Sequence, residues 1–451
     1  MISKNNWSKF MEKAWRTLIM VVWAGVIIWA KAGLADQKLF EEEVLELLRE
    51  KNIITPEKYQ ELYHKLKIQK QSVNEAILEL LKEQNIVSPT KYEELKAKVE
   101  EEKKQAPVQV VQIPEPLKGV QFKGTWYLDY RAGKRNASDE RYNEFSLTRG
   151  YLDLRKEFTP WFSGRITPDI TKESTGEYKL RMKYLYGNFR LPNLKVFTNN
   201  WIEVGMIHNP WFDFEENINI YRSQGTMFIE RNGVFNSADL GVGLFGFFGG
   251  ELSETYKNKV NKHWAGRYGS YGIGVYNGGG YTASENNENK AFEARLTLRP
   301  FPDHIPGLQF TYFNITAKGN RKEEPDWRTH IAFLSYEATW GTLTAQYADV
   351  KGSQKGEYKI GSSTFLDERN KDGYSFFVNL KAPWDYRYRA FIRYDFWDPN
   401  DDTTGDTQKR YIGGLSYEFY KSCMLTGVYE KLKDSAGKDE HFFQTVMEIK
   451  F

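Results

Sequence analysis

The chain has 451 residues, of which 16% are aromatic and 27% charged, with a mean hydropathy of −0.64. That polarity excludes a bundle of transmembrane helices, and a net charge of +3 leaves no electrostatic footprint for nucleic acid. The single cysteine, Cys423, excludes an internal disulfide framework and a cysteine-rich metal site.

The first 35 residues have the three parts of an export signal. Lys4, Lys9, Lys13 and Arg16 form a basic start, TLIMVVWAGVIIWA is an apolar run too short to span a bilayer, and small residues follow at Ala30, Ala32 and Ala35. Residues 1–35 therefore read as a signal peptide cut after Ala32 or Ala35. No later run approaches the roughly 18 apolar residues of a membrane helix. The exported chain either stays soluble or enters a membrane as a barrel.

Residues 36–105 read as helix. LELLREKNIITPEKYQEL (Leu45–Leu62) recurs as LELLKEQNIVSPTKYEEL (Leu78–Leu95). Thr55-Pro56 and Ser88-Pro89 each place a hydroxyl cap before a proline, which starts the next helix. Tyr59, Leu62 and Leu66 share one face, and Tyr92, Leu95 and Val99 repeat the spacing. These units resemble SHOCT-type helical repeats, which implies a periplasmic spacer or association module, with peptidoglycan as a candidate partner. Residues 106–118 follow as a proline-rich linker of extended geometry.

From Gly119 to Phe451 the period becomes two, and about 16 strand-like runs can be counted. Every second connection is short, as at Thr159-Pro160, Trp340-Gly341, Ala382-Pro383-Trp384 and Tyr420-Lys421. Those between are long and polar, as in RAGKRNASDE, TASENNENK, KGSQKGEYKIGSSTFLDERNKDG and DPNDDTTGD. Alternating short turns and long loops belong to a transmembrane barrel, here all-β with about 16 antiparallel strands. One long stretch, Gly250–Trp264, falls where a short turn is due and suggests a miscounted strand pair. The last ten residues, FFQTVMEIKF, alternate to the end and read as the closing strand, with Phe451 in the aromatic girdle. An even strand count puts both barrel ends, and residues 36–105 with them, in the periplasm of a Gram-negative cell.

Charges are costly at the lipid midplane, so alternation assigns them inward. Tyr388, Ala390, Ile392, Tyr394 and Phe396 face lipid, which turns Arg387, Arg389 and Arg393 to the lumen with Asp395. Phe292, Ala294, Leu296 and Leu298 likewise leave Arg295 and Arg299 inside with Glu293. The same parity puts Arg181 and Lys183, with Lys179, inside on the fourth strand, Arg165 with Asp169 on the third, and Arg149 and Arg155 with Asp153 on the second. Cations outnumber carboxylates at these positions, which favours anions. Between the fifth and sixth strands, His208–Phe235 is longer than closure needs. Its aromatic side chains predict a loop folded into the lumen, carrying His208, Glu215, Glu216, Arg222, Glu230 and Arg231 to a constriction.

VGMIHNP (Val204–Pro210), Glu215, Arg222-Ser223 and IER (Ile229–Arg231) resemble the third-loop pattern of the phosphate-selective porin O and P family. GVYNGG (Gly274–Gly279), RLTLRPF (Arg295–Phe301), YEATWGTLTAQY (Tyr336–Tyr347) and YIGGLSYEFY (Tyr411–Tyr420) are similar to its later signatures. The resemblance implies a 16-stranded trimer with an inward third loop and a basic pore that in some members binds phosphate. It departs from the pattern at Met206 and His208, where family members often carry Gln and Lys. The expected function is an outer-membrane porin passing small polar solutes, with a preference for anions that extends to phosphate. The alternative is an envelope tether whose barrel only anchors residues 36–105. None of the six histidines lies in a nucleophile motif, DPNDDTTGD lacks EF-hand spacing, and neither an enzyme nor a cofactor nor a metal is expected.

Overall fold

The computed structural model describes residues 118–451, except 136–139, 174, 436 and 438, together with four upstream positions. Those four, Tyr92, Glu93, Lys96 and Ala97, are helical. The chain divides into two units, Met1–Pro114 and Glu115–Phe451. The signal peptide at 1–35, the rest of the helical repeat at 36–105 and the linker at 106–118, its last residue aside, lie outside the described residues.

Alternation does build strands throughout the second unit. They are β1 Val120–Arg135, β2 Glu140–Thr159, β3 Phe162–Lys172, β4 Tyr178–Arg190, β5 Phe197–His208 and β6 Ala238–Phe248. Next come β7 Gly269–Tyr276, β8 Ala291–Leu298, β9 Leu308–Lys318, β10 Asp326–Ala338 and β11 Gly341–Lys351. The small pair β12 Glu357–Ile360 and β13 Ser363–Leu366 precedes β14 Asn370–Ala382, β15 Asp385–Asp398, β16 Gln408–Tyr420, β17 Cys423–Asp434 and β18 Asp439–Lys450. All but β12 and β13 form one closed antiparallel barrel of sixteen strands, and β12 pairs with β13 alone. β1 closes the ring on β18, with Thr125 opposite Lys450 and Lys134 opposite His441.

The two faces separate as alternation demands. In β15, Tyr388 and Ile392 are exposed while Phe391, Arg393, Asp395 and Trp397 are buried, and in β18 Phe443 is exposed over a buried Gln444, Val446 and Glu448. Aromatic rings band the outer surface near both rims. At the loop end Tyr374 stacks on Phe396 at 5.0 Å, Tyr394 meets Tyr411 at 5.1 Å and Tyr429 meets Phe443 at 4.9 Å. At the turn end Phe162 lies 5.1 Å from Phe158 and 4.9 Å from Phe189. Phe451 sits between Phe122 and Trp126, at 5.7 and 5.4 Å. Its ring covers Gly124, where a Cβ would come within 2.2 Å of it. Amphipathic rings at the borders of an apolar belt suit the two interfaces of a bilayer.

Strand ends differ from expectation. Most of RAGKRNASDE is strand, because β1 runs to Arg135 and β2 begins at Glu140. The ladder bonds continue there above the apolar belt, whatever the side chains. Gly250–Trp264 is no miscounted strand pair: it holds a short helix and, at Glu251–Gly266, an isolated bridge. β3 and β4 slip register between Thr167 and Pro168, which lie opposite Tyr184 and Met182, so Lys183 is the extra residue. Proline cannot donate to a ladder and is tolerated at such a bulge. The bulge turns Lys183 and Tyr184 both inward, and below it Tyr186 takes the inner face while Leu185 is exposed.

Candidate functional site: the lumen constriction

The loop between β5 and β6, residues 209–237, enters the lumen because its apolar side chains find an apolar wall there. Asn209 starts it. Its Oδ1 accepts the backbone N–H groups of Trp211 and Phe212 at 3.1 and 2.8 Å, its Nδ2 donates to the Asn236 carbonyl at 2.6 Å, and its own N–H reaches the Ser237 carbonyl at 3.1 Å. Two short helices follow, α1 Phe212–Glu215 and α2 Phe228–Arg231. Trp211 is wholly buried against Phe313 of β9 and Phe333 of β10, at 5.5 and 5.4 Å. Phe235 meets Phe313 at 5.7 Å and Trp327 at 6.3 Å, and Phe228 meets Trp397 of β15 at 5.7 Å.

Polar bonds then carry the loop to strands far along the chain. Tyr221 stacks on Phe391 at 3.9 Å, and its hydroxyl shares hydrogen bonds of 2.9 Å with Asn379 Oδ1 and Ser416 Oγ. Gln224 Nε2 and Arg231 Nη1 both donate to Glu430 Oε2, at 2.6 and 2.9 Å, while Arg410 binds the other oxygen. Arg393 holds Asp395 at 2.7 Å and donates to the Thr226 carbonyl at 3.2 Å. The loop is thus fixed against β8–β11 and β14–β17.

Its free flank faces β1–β4. Arg222 ion-pairs with Glu216 at 2.9 Å and Glu230 at 3.2 Å. It lies within electrostatic reach of Tyr127, Arg149 and Tyr151 on the opposite wall, and Glu216 within reach of Lys183. On that wall Asp169 Oδ2 accepts from Arg149 at 2.9 Å and Arg181 at 2.8 Å, and Arg181 also donates to the Tyr281 hydroxyl at 3.1 Å. Lys183 stands apart. Its ammonium lies 4.8 Å from the centre of the Tyr151 ring and 5.3 Å from that of Tyr184, and 3.4 Å from the Tyr151 hydroxyl. Among the described residues no carboxylate comes within ion-pair distance of it. The gap therefore sets four cations, Arg149, Arg181, Lys183 and Arg222, against three carboxylates, Asp169, Glu216 and Glu230.

The remaining charged positions lie elsewhere. Arg295 and Arg299 point inward but are 1% and 2% exposed beneath the loop and the segment at 249–268. Arg295 donates to the Pro210 carbonyl at 2.8 Å and lies 4.4 Å from the Phe214 ring centre and 4.2 Å from that of Trp264. Arg299 binds the Gly266 carbonyl at 3.1 Å. Arg387 is exposed at the turn end with Asp385 at 2.8 Å, and Arg389 pairs with Glu418. Arg155 and Arg165 share Asp153, at 2.9 and 2.7 Å. Arg165 also meets His208 Nε2 at 2.7 Å, and since a guanidinium only donates, the imidazole proton sits on Nδ1, 3.0 Å from Glu203. A reading built on charge passes over Tyr127, Tyr151 and Tyr281. Inward parity is the signal that marks Tyr127 and Tyr151, whereas Tyr281 lies in the connection between β7 and β8, where alternation marks nothing.

Glu215 supplies a pH dependence. It is buried in α1, where Trp211 Nε1 donates to it at 2.7 Å. Burial raises its pKa to about 8, with Arg393 and that hydrogen bond opposing. The docked loop therefore binds a proton that a released loop loses near the ordinary carboxyl value of 4.5. Docking weakens as pH rises between those two values and levels off above the higher one. Current noise at pH 9 should exceed that at pH 5, and Glu215→Gln should abolish the difference. Equal noise in both proteins at both values would contradict this.

No protein-family model matches the chain, and a search of the curated proteins finds no relative. Among solved structures the barrel is similar to Salmonella typhi OmpF in complex with daunomycin, at 12% identity over 73% of this chain and 97% of that one, with a TM-score of 0.51. It is also similar to an anion-selective porin from Comamonas acidovorans, at 9% identity over 74% and 99%, with a TM-score of 0.50. At such identities the likeness concerns the fold, a porin barrel.

Proposed function

We propose that the protein is an outer-membrane porin, a water-filled channel for small hydrophilic solutes that favours anions, inorganic phosphate among them. One observation carries the reading. Lys183 brings an almost buried ammonium to the constriction without a carboxylate partner among the described residues. A desolvated cation without a partner is costly, and an anion in transit supplies one. Arg149, Arg181 and Arg222 add to the field, although Asp169, Glu216 and Glu230 offset much of theirs. The same reading makes the assembly a homotrimer in outer-membrane lipid, with residues 36–105 in the periplasm.

The test is planar-bilayer recording from the refolded full chain, with reversal potentials in a KCl gradient. Open steps with an anion-biased reversal potential, blocked by phosphate, support it. Steps without bias leave a general porin. A second reading is favoured by the loop crossing from β5 to β17 and by the segment 249–268 entering beneath it. Together they fill much of the lumen, as in an anchor for residues 36–105. A folded barrel that never conducts would decide for that anchor.

A further inference from the structure

We propose that the outer face of the barrel near its loop end, over β16–β18, β1 and β2, docks the phosphorylated headgroup of an outer-leaflet lipid, with Lys134, Arg141, Lys409, Lys431 and Lys433 as its cationic contacts. The inference rests on the outer-membrane part of the reading above, and on neither conduction nor anion preference. Ladder register places the residues. Glu430 of β17 points into the lumen, where it holds Gln224 and Arg231, so Tyr429, Lys431 and Lys433 alternate onto the outside. Gln444 of β18 likewise donates inward to Asp129 of β1 at 2.8 Å. That turns His441 and Phe443 outward, and with them Tyr130, Ala132 and Lys134.

Four of these positions stand side by side on four strands. Lys431 is opposite His441, His441 opposite Lys134, and Lys134 opposite Arg141. One row further toward the loops, Lys433 lies opposite Lys409 on one side and Asp439 on the other. Directly opposed side chains have β-carbons about 5 Å apart, and like charges so placed destabilise a sheet. Lys409 against Lys433 and Lys134 against Arg141 therefore work against the ladder, and an anion lying over them relieves that cost. By alternation, Asp439 is the one carboxylate on the outward face among the described residues of these five strands, and it is held by Lys431 at 3.3 Å. Neither Lys409 nor Lys433 has a carboxylate within ion-pair distance among the described residues.

Height in the membrane names the partner. Below the cations run the rings that border the apolar belt: Tyr394 with Tyr411, Tyr429 with Phe443, and Tyr130 with Phe145 at 4.8 Å. Lys431 stands one step along the same face from Tyr429, as His441 does from Phe443 and Lys409 from Tyr411. Side chains at that height meet headgroups rather than acyl chains, and a basic cluster there attracts anionic ones. The rim is not basic all round. Across the barrel His330, Asp349, Asp372 and Asp398 oppose one another in succession on the outer faces of β10, β11, β14 and β15. One side of the rim thus suits phosphate and the other repels it. Five cations over five strands span about 20 Å of sheet, at nearly 5 Å per strand, which exceeds what one phosphate needs and fits a headgroup carrying two.

The experiment uses the refolded full chain in detergent, with EDTA present so that no divalent cation links phosphate to the acidic side. Calorimetric titration reads binding of diphosphoryl lipid A, its monophosphoryl form, phosphatidylethanolamine and inorganic phosphate. The diphosphoryl lipid is expected to bind about tenfold more tightly than the monophosphoryl one, and the last two probes not to saturate the site. Lys409→Ala combined with Lys433→Ala should weaken the diphosphoryl lipid about thirtyfold. Lys318→Ala combined with Lys351→Ala is the control on the opposite side of the rim, where both lysines pair with Asp326, and should change binding little. Equal loss in the two double variants, equal binding of the two lipids, or displacement of lipid by inorganic phosphate at equal concentration overturns the proposal. So does loss of the oligomer in the first double variant without lipid, measured as mass in detergent, which would give the face to a second copy of the chain. Lipid binding of the expected strength by a barrel that never conducts would uphold this site and strike down the channel reading.

Discussion

In the variant Glu430→Ala, single-channel conductance rises and the current flickers between levels. Glu430 is 3% exposed and gathers Gln224 and Arg231 of the lumen loop on one oxygen and Arg410 of the wall on the other. Removing it leaves Arg231 buried without a counter-charge, and breaking a buried pair from one side costs about 3–5 kcal/mol. Water in the lumen can resolvate the guanidinium once the loop moves away, so about 3 kcal/mol is the better guide to the loss of docking. The barrel ladder is untouched, so heat-resistant migration in gels should persist while the current changes. Glu430→Gln keeps the shape and one acceptor and should fall between the two. Unchanged conductance and noise in Glu430→Ala would show that the aromatic contacts alone hold the loop.

Lys183→Glu should shift the reversal potential toward cations. Changing the sign of one charge about 5 Å from a passing ion, in a water-like medium, alters that ion's energy by roughly 1.5 kcal/mol. The permeability ratio of anion to cation should therefore fall about a hundredfold, since the two ions respond oppositely. Lys183→Met removes the charge and should give about half of that effect on a logarithmic scale. Arg387→Glu is the control. Arg387 is exposed at the turn end beside Asp385, and the same reversal there should move selectivity little. If both substitutions shift the potential equally, the constriction does not set selectivity.

The barrel is legible in the sequence because alternation and loop length are local. Phe443 against Gln444 and Val446, or Ile392 against Arg393, can be assigned to a face from neighbouring residues alone, and the structure assigns them the same way. The inward loop is legible for a similar reason, since Trp211, Phe212 and Phe228 would otherwise face water. Other features depend on partners distant in the chain. Parity puts Arg295 inside, but what covers it is Trp264 at the end of a stretch, Gly250–Trp264, that by its length alone suggests a miscounted strand pair. The bulge at Lys183 is signalled only by Pro168 on the next strand, and without it strict alternation turns Tyr184 and Tyr186 outward.

The ties between loop and far wall also order the assembly of the molecule. Gln224 and Arg231 bond to a residue 206 and 199 positions later, and Tyr221 to one 195 positions later. Contacts of such separation carry a loop-closure entropy that only the finished neighbours can offset. The cradle for residues 209–237 exists only after β14–β17 have joined the sheet. Docking of the loop is thus a late step of folding, and until it occurs the lumen is wider than in the finished molecule.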